Sequence, residues 1–459
     1  MPYQAFDGQS FERASRLGHS AAAIQAMADR AEFFVPADAL NDADWVRDVV
    51  VPRSSLPGAD TAAVLDAAIA VDGSHVTQQV RDGMPTVLYG FAQAAAAYVD
   101  LAVMSTQRAE RFVDPIAIEQ AVNAELVTID MPVAGAYASD GIDIKMSWRV
   151  LLDQIFRKKK VSVNGFEQSL MTLLFRLHGA PTSAARSVPV NCPGCRVEGV
   201  EVEFDGTPCP LCGTDLFPTD TLRIHEGVQE DATNETSLGR LRSVIELLVL
   251  VGLTTLLWEQ SRTVLLPRVL FIQDGPLAMY GEPAKLRARA EFFFRSMTNQ
   301  TPGTGPYICG VEKSGTFVDY ARQLAKHHLV QPGELVICGH EVLKRLVGTQ
   351  DPRNFGKETY WGRKFMYRSK DGRVVVITVP PATGTAYDSN GGQPGPEGYP
   401  TLPAILDVID RTGSSMYMDG IIPVAAAHGR AAFPIGVGTD VLSLVARERL
   451  GLSQERTER

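Results

Sequence analysis

Two sets of residues in this chain have types and spacing that could do chemistry. The first is four cysteines in the pattern Cys192-x2-Cys195-x13-Cys209-x2-Cys212. Each CxxC turns tightly enough for two thiolates to reach one ion, and four thiolates close a tetrahedral site. Gly194 and Gly213 supply the turns. A redox CxxC would normally stand once, at a helix start. Two of them at this spacing predict a structural zinc ribbon with no open coordination position. The second set is acidic. "AAIAVDGSH" (67–75) and "VLFIQDGP" (269–276) both read as apolar strands that stop on Asp-Gly. Asp72 and Asp274 could therefore lie side by side at one sheet edge, where paired carboxylates would hold Mg²⁺ or Mn²⁺. Such a site suits phosphodiester hydrolysis. The plainer alternative is that both aspartates only cap turns. Asp371-Gly372, flanked by apolar strands on both sides, is such a hairpin turn.

The elements that must carry these residues follow from periodicity and punctuation. Residues 11–48 are Ala-rich and amphipathic, giving a helical N-terminal segment over 1–60. Strands are expected at 67–76 and within 84–101, then helices at 116–127, 142–157 and 165–179. The cysteine segment fills 187–220. After it come a long helix at 237–260, the strand to 273, and alternating helices and strands to a last helix near 439–450. The pattern is an α/β fold split by an insertion: a first core part over 61–186, the ribbon over 187–220, a second core part over 221–450, and a disordered tail over 451–459.

The 459 residues are 45% hydrophobic and 21% charged, with a net charge of −9. That composition is globular and lacks the basic footprint of a nucleic-acid binder, although a local basic channel can sit on an acidic protein. Charge in "MPYQAFDGQSFERASR" stands where a secretory signal would be apolar. "VIELLVLVGLTTLLW" (244–258) is too short for a membrane span and carries Glu246, so it reads as a buried helix and no membrane is expected. Cys309 and Cys338 sit alone in apolar strands as buried thiols. The whole pattern predicts a reduced, cytoplasmic protein.

Four islands, taken together, resemble the NurA nucleases: "AVDGSH", "FIQDGPL", "GVEKSG" (310–315) and "PVAAAHGRA" (423–431), in that family's order across 67–435. The resemblance implies an RNase H-like core with a mixed sheet flanked by helices. It implies manganese- or magnesium-dependent cleavage of DNA by a homodimer working with a HerA-type hexameric ATPase, in end processing or anti-phage defence. Carried over residue by residue, Asp72 and Asp274 become metal ligands, His428 completes the set and Lys313 meets the scissile phosphate. The family's further glutamate corresponds best to Glu246, with Glu235 and Glu259 as competitors. Two features depart from the pattern: Pro276 stands where the family more often has Ser, and the four-cysteine segment is an insertion.

Read without the family, His428 is a core or capping histidine, Lys313 a strand-end charge, and "RKKK" (157–160) a solvated face. His75 is a poor ligand because alternation turns it away from Asp72. Lys285, Arg287 and Arg289 could line a DNA channel or merely border the core; Trp258 and Trp361 read as core. The competing function is a non-catalytic DNA-end or ATPase-binding subunit on the same fold, and a third is a zinc-ribbon scaffold in which the aspartates are replaceable.

Overall fold

In the computed structural model the described residues are 44–80, 86–104, 122–163, 165–261, 263–300, 306–347, 355–382, 395–413, 420–433 and 437–452. Fifteen strands are found among them. Nine form one sheet: β1 (Val50–Pro52), β2 (Ala67–Gln79), β3 (Leu88–Asp100), β4 (Val122–Ala134), β11 (Val269–Asp274), β12 (Tyr307–Glu312), β13 (Glu334–Ile337), β14 (Arg363–Arg368) and β15 (Val374–Val379), in the order β1-β13-β14-β15-β12-β11-β2-β3-β4. The pairs β2–β11 and β11–β12 are parallel and the others antiparallel, so the sheet is mixed.

The helices are α1 (Asp44–Val49), α2 (Ile144–Lys158), α3 (Leu170–His178), α4 (Glu235–Ser261), α5 (Leu286–Gln300), α6 (Thr316–Lys326), α7 (His340–Val347), α8 (Leu402–Thr412), α9 (Ile422–Ala431) and α10 (Val437–Arg449). They flank the sheet in two layers. Alternation along β2 explains the split. Ala67 and Val71 face an apolar cluster built from α2, α3, α4 and α5. Ala68 and Ala70 face the opposite cluster, which holds α8 and α9. The run Ala94–Ala97 on β3 is buried and presents only methyl groups to both layers. Helices can therefore lie close against the sheet at this point.

Helix α4 is apolar on all sides because it is enclosed on all sides, a buried helix by the usual rule. It is longer than the 237–260 expected. By length and composition it is also the one helix among the described residues that could cross a membrane, yet 83% of its apolar window is buried inside the protein. Trp258 and Trp361 are buried, as are Cys309 and Cys338. Burial pushes both of these thiols up, Cys338 to about 12.

Three expectations are corrected. Of the helix expected at 116–127, residues 116–121 lie outside the described residues and 122–127 belong to β4; the β-branched run in "LVTIDMPV" pairs with β3, and pairing overrides local helix propensity. Within 1–60, Val50–Pro52 is an edge strand against β13, with Pro52 where no ladder donor is required. Asp44–Val49 of that segment is helical, and residues 1–43 lie outside the described residues. Asp72-Gly73 does not end its strand: β2 continues to Gln79 because β3 stays paired with it as far as Leu88. Of the 451–459 tail, Leu452 packs against Val80 and Phe91, and 453–459 lie outside the described residues.

The cysteine segment holds the four short strands β7 (Ser187–Val190), β8 (Val200–Glu203), β9 (Thr207–Pro208) and β10 (Asp215–Leu216). β7 pairs with β8 and β9 with β10, so one CxxC sits in the loop of each hairpin. Val188, Val190 and Leu216 belong to the same apolar cluster as Trp148 and Leu173. The segment therefore shares the core of the helical layer. A buried ion pair fastens it there: Arg149 of α2 donates to both oxygens of Asp220 at 2.8 and 2.7 Å and to the Asp215 carbonyl at 2.6 Å. Removing one partner would strand the other charge in the core. Arg149→Ala or Asp220→Ala is expected to cost about 3–5 kcal/mol, read as a lower denaturation midpoint, whereas Arg149→Met combined with Asp220→Leu costs far less.

Candidate functional site

β2 and β11 run parallel in register, with Ile272 opposite Ala70 and Gln273 opposite Val71. The next residues along are Asp274 and Asp72. The two aspartates thus leave adjacent central strands on the same face, the one covered by α8 and α9. β11 ends there while β2 runs on with β3, so the carboxylates sit where two central strands part. This is the middle of the sheet, and the edge position expected from sequence is corrected accordingly.

His428 comes from α9 on that same face. Its Nδ1 lies 2.6 Å from Asp72 Oδ2 and 3.9 Å from Asp274 Oδ2. Two hydrogen bonds fix the helix there: the Ser74 hydroxyl and Gln93 Nε2, the latter at 2.6 Å, both donate to the Ala431 carbonyl. Asp72 is buried and the Asp274 side chain is 12% exposed, but the His428 side chain is 64% exposed, which does not suit a core histidine. Lys313, one residue past β12, donates from Nζ to Asp274 Oδ2 at 2.6 Å. Glu312 before it points elsewhere and pairs with the buried Lys364.

Glu246 reaches the site from the opposite face of the sheet, out of the middle of α4. A Cβ on Gly73 would overlap Glu246 Oε1 and lie 2.9 Å from the Gln93 carbonyl. The glycine is therefore the opening through which the carboxylate approaches the two aspartates. Glu246 is buried, and Oε1 accepts no hydrogen bond. Arg242 Nη1, one turn earlier on α4, lies 3.1 Å from Oε1 but donates instead to the Gly73 carbonyl at 2.8 Å. The competing glutamates are elsewhere: Glu235 accepts from Thr77, and Glu259 from Arg176 at 2.5 Å. His75 lies over Gly239 of α4.

Burial, and then the neighbouring Asp72 and Asp274 charges, push Glu246 up to about 8, against the opposing pull of Arg242. Burial and Asp72 push Asp274 up to about 6, against Lys313. Ligand atoms of Asp72, Asp274 and His428 all lie within 4.8 Å of one another. Two carboxylates and an imidazole in that space, with the buried Glu246 carboxylate behind them, fit one or more divalent cations.

The four cysteine sulfurs form the second such group. Cys192–Cys212 and Cys195–Cys209 are each 3.6 Å apart, close to the ~3.8 Å edge of a tetrahedron with 2.3 Å metal–sulfur bonds. The Thr214 hydroxyl, 3.1 Å from Cys212 Sγ, holds that thiol down to about 6. The set fits a thiophilic ion with no position left for substrate.

Sequence reasoning brought Asp72, Asp274, Glu246, Lys313 and His428 forward, and all five lie together. It missed Arg242. The signal was available as an Arg–Glu pair four residues apart on an otherwise apolar helix.

No protein-family profile matches the chain, and no curated protein sequence matches it. Among solved structures, a NurA nuclease from Sulfolobus solfataricus aligns over 97% of this chain and 99% of its own at 10% identity and a TM-score of 0.35. A NurA structure bound to dAMP and manganese aligns over 93% of this chain and 95% of its own at 9% identity and a TM-score of 0.30. Likeness of this size fixes neither fold nor activity for this chain.

With folded values raised above those of the unfolded chain, Asp274 and Glu246 hold protons that the unfolded state has released. The contribution of these two groups to stability is therefore fullest below about pH 4 and is lost as pH rises through about 6 and about 8. Without added divalent cation, Tm is expected to fall between pH 5 and pH 8. Glu246→Gln flattens that fall, and Mn²⁺ raises Tm more at pH 8 than at pH 5; a flat wild-type profile would contradict the assignment.

Proposed function

We propose that this chain is a metal-dependent DNA nuclease of the NurA type, hydrolysing phosphodiester bonds. The observation that carries the reading is the convergence of Asp72, Asp274 and His428 within 4.8 Å, with Lys313 beside them and Glu246 behind. Structural or capping aspartates have no need of a third buried carboxylate beside them. The mixed five-strand set β4-β3-β2-β11-β12, flanked by helices, supports an RNase H-like core.

In this reading Asp72 and Asp274 hold Mn²⁺ or Mg²⁺ from the sheet and His428 completes the set from α9. The imidazole favours manganese over magnesium, which prefers oxygen alone. A bound cation supplies Lewis-acid activation of the phosphodiester and of the attacking water. Lys313 keeps Asp274 oriented and presents a positive charge where negative charge grows on the phosphate. Glu246 adds a carboxylate from behind, through the gap at Gly73, with Arg242 holding that gap by its bond to the Gly73 carbonyl. The cysteine ribbon takes a structural Zn²⁺. The finer setting is part of the same proposal: a cytoplasmic homodimer acting with a HerA-type hexameric ATPase on DNA ends, in repair or in anti-phage defence. An acidic exterior repels DNA, so loading through a ring-shaped partner suits it.

Cleavage of DNA is to be measured with Mn²⁺, with Mg²⁺ and with EDTA, each with and without the ATPase. Mn²⁺-dependent products are expected, and Asp72→Ala or Asp274→Ala lowers the rate by at least on the order of 10²-fold. Failure of the wild-type protein to cut under every condition would leave the non-catalytic subunit as the better account. Elemental analysis is expected to find one zinc per chain, lost in Cys209→Ser and retained in Asp274→Ala.

A further inference from the structure

From Asp274 the chain leads through Gly275–Lys285 to the start of α5, and Glu282 on this segment is ion-paired to Arg240 of α4. There it borders a cleft of about 1020 Å³ between α5 and the cysteine ribbon. A second cleft of about 400 Å³ shares Asn191, Glu198 and Arg223 with the first. The two run together as one groove past the first CxxC turn.

The charges along this groove are of two kinds. Arg223 is committed to Glu226, and Arg287 and Arg295 to Glu291. Lys145, Arg196, Lys285 and Arg289 line the groove with no ion-pair partner among the described residues. Against these four cations stand two carboxylates in the same condition, Glu198 and Glu358. The groove is thus locally positive on a chain whose net charge is −9. Lys285, Arg289 and Phe292 follow one another at four and three residues, so they share one face of the α5 helix and its first turn. Phe292 is 47% exposed although the next two phenylalanines are buried. Uncommitted cations interleaved with a solvent-facing aromatic ring, in a groove, are what a single strand requires: phosphates take the charges and an unpaired base takes the ring. A duplex keeps its bases stacked inside and could not use Phe292.

We propose that this groove binds single-stranded nucleic acid, with phosphates on Lys145, Arg196, Lys285 and Arg289 and a base stacked on Phe292. The inference deepens the nuclease reading and rests on it for the identity of the ligand.

The test is fluorescence anisotropy of a labelled oligothymidylate with the full-length protein, without added divalent cation, across a salt series. Lys285→Ala combined with Arg289→Ala is expected to weaken binding at least about tenfold at low salt and to make the salt slope shallower by about 0.7 per lost contact. Phe292→Ala is expected to weaken binding roughly fivefold or more with the slope unchanged. Wild-type affinity and slope in the groove variants overturn the proposal. Groove-dependent binding by a protein that cuts nothing supports the groove and sinks the nuclease reading. Cleavage and binding both intact in the groove variants do the reverse.

Discussion

The constraint on which the site depends is the confinement of three carboxylates around one missing side chain. Gly73 leaves a gap between β2 and α4, Glu246 fills it from one face, and Asp72 and Asp274 stand on the other. Burial, and then mutual repulsion, raise Asp274 and Glu246 above the ordinary carboxylate range. Only neighbouring positive charge makes the cluster tolerable, and the chain supplies some of it with Lys313, His428 and Arg242. Much of the local architecture serves this arrangement. The alanines of β3 let helices close on both faces, the enclosed α4 carries Glu246 into the core, and the Ala431 carbonyl is held by Ser74 and Gln93 so that α9 delivers His428.

The ribbon obeys a different logic. Its four sulfurs form a closed set remote from proton chemistry, and its apolar residues merge with the helical layer through Arg149 and Asp220. It serves as a wall of the molecule, and the groove beside α5 exists only because that wall is there. The two metal-competent sites therefore divide their work by donor type. Oxygen donors with an imidazole occupy the parting of β2 and β11, and soft sulfur donors occupy the hairpin turns.

Much of this was legible in the sequence, for identifiable reasons. The CxxC spacing is local, so it predicts its own geometry. The strand of Asp274 was legible because Val269–Ile272 is a continuous apolar run, as fits a buried parallel strand. Glu246 stood out as a charge in an apolar helix. What escaped depends on partners distant in the chain. Residues 122–134 become a strand only because β3 offers an edge. Asp72 sits within a strand because β3 stays paired with it, and no local signal could show that Gly73 opens toward Glu246. Arg242 was overlooked because its meaning lies in a carbonyl 169 residues away.

That separation has a temporal consequence. His428 and Asp72 are 356 positions apart, and Glu246 and Asp274 lie between them. During synthesis the two aspartates and the glutamate can be brought together by the sheet and α4, but the imidazole arrives only when α9, near the end of the chain, has emerged and docked. Contacts of such long range form late and slowly. The cluster therefore passes through an interval in which only Lys313 and Arg242 offset its acidity, before the imidazole closes it.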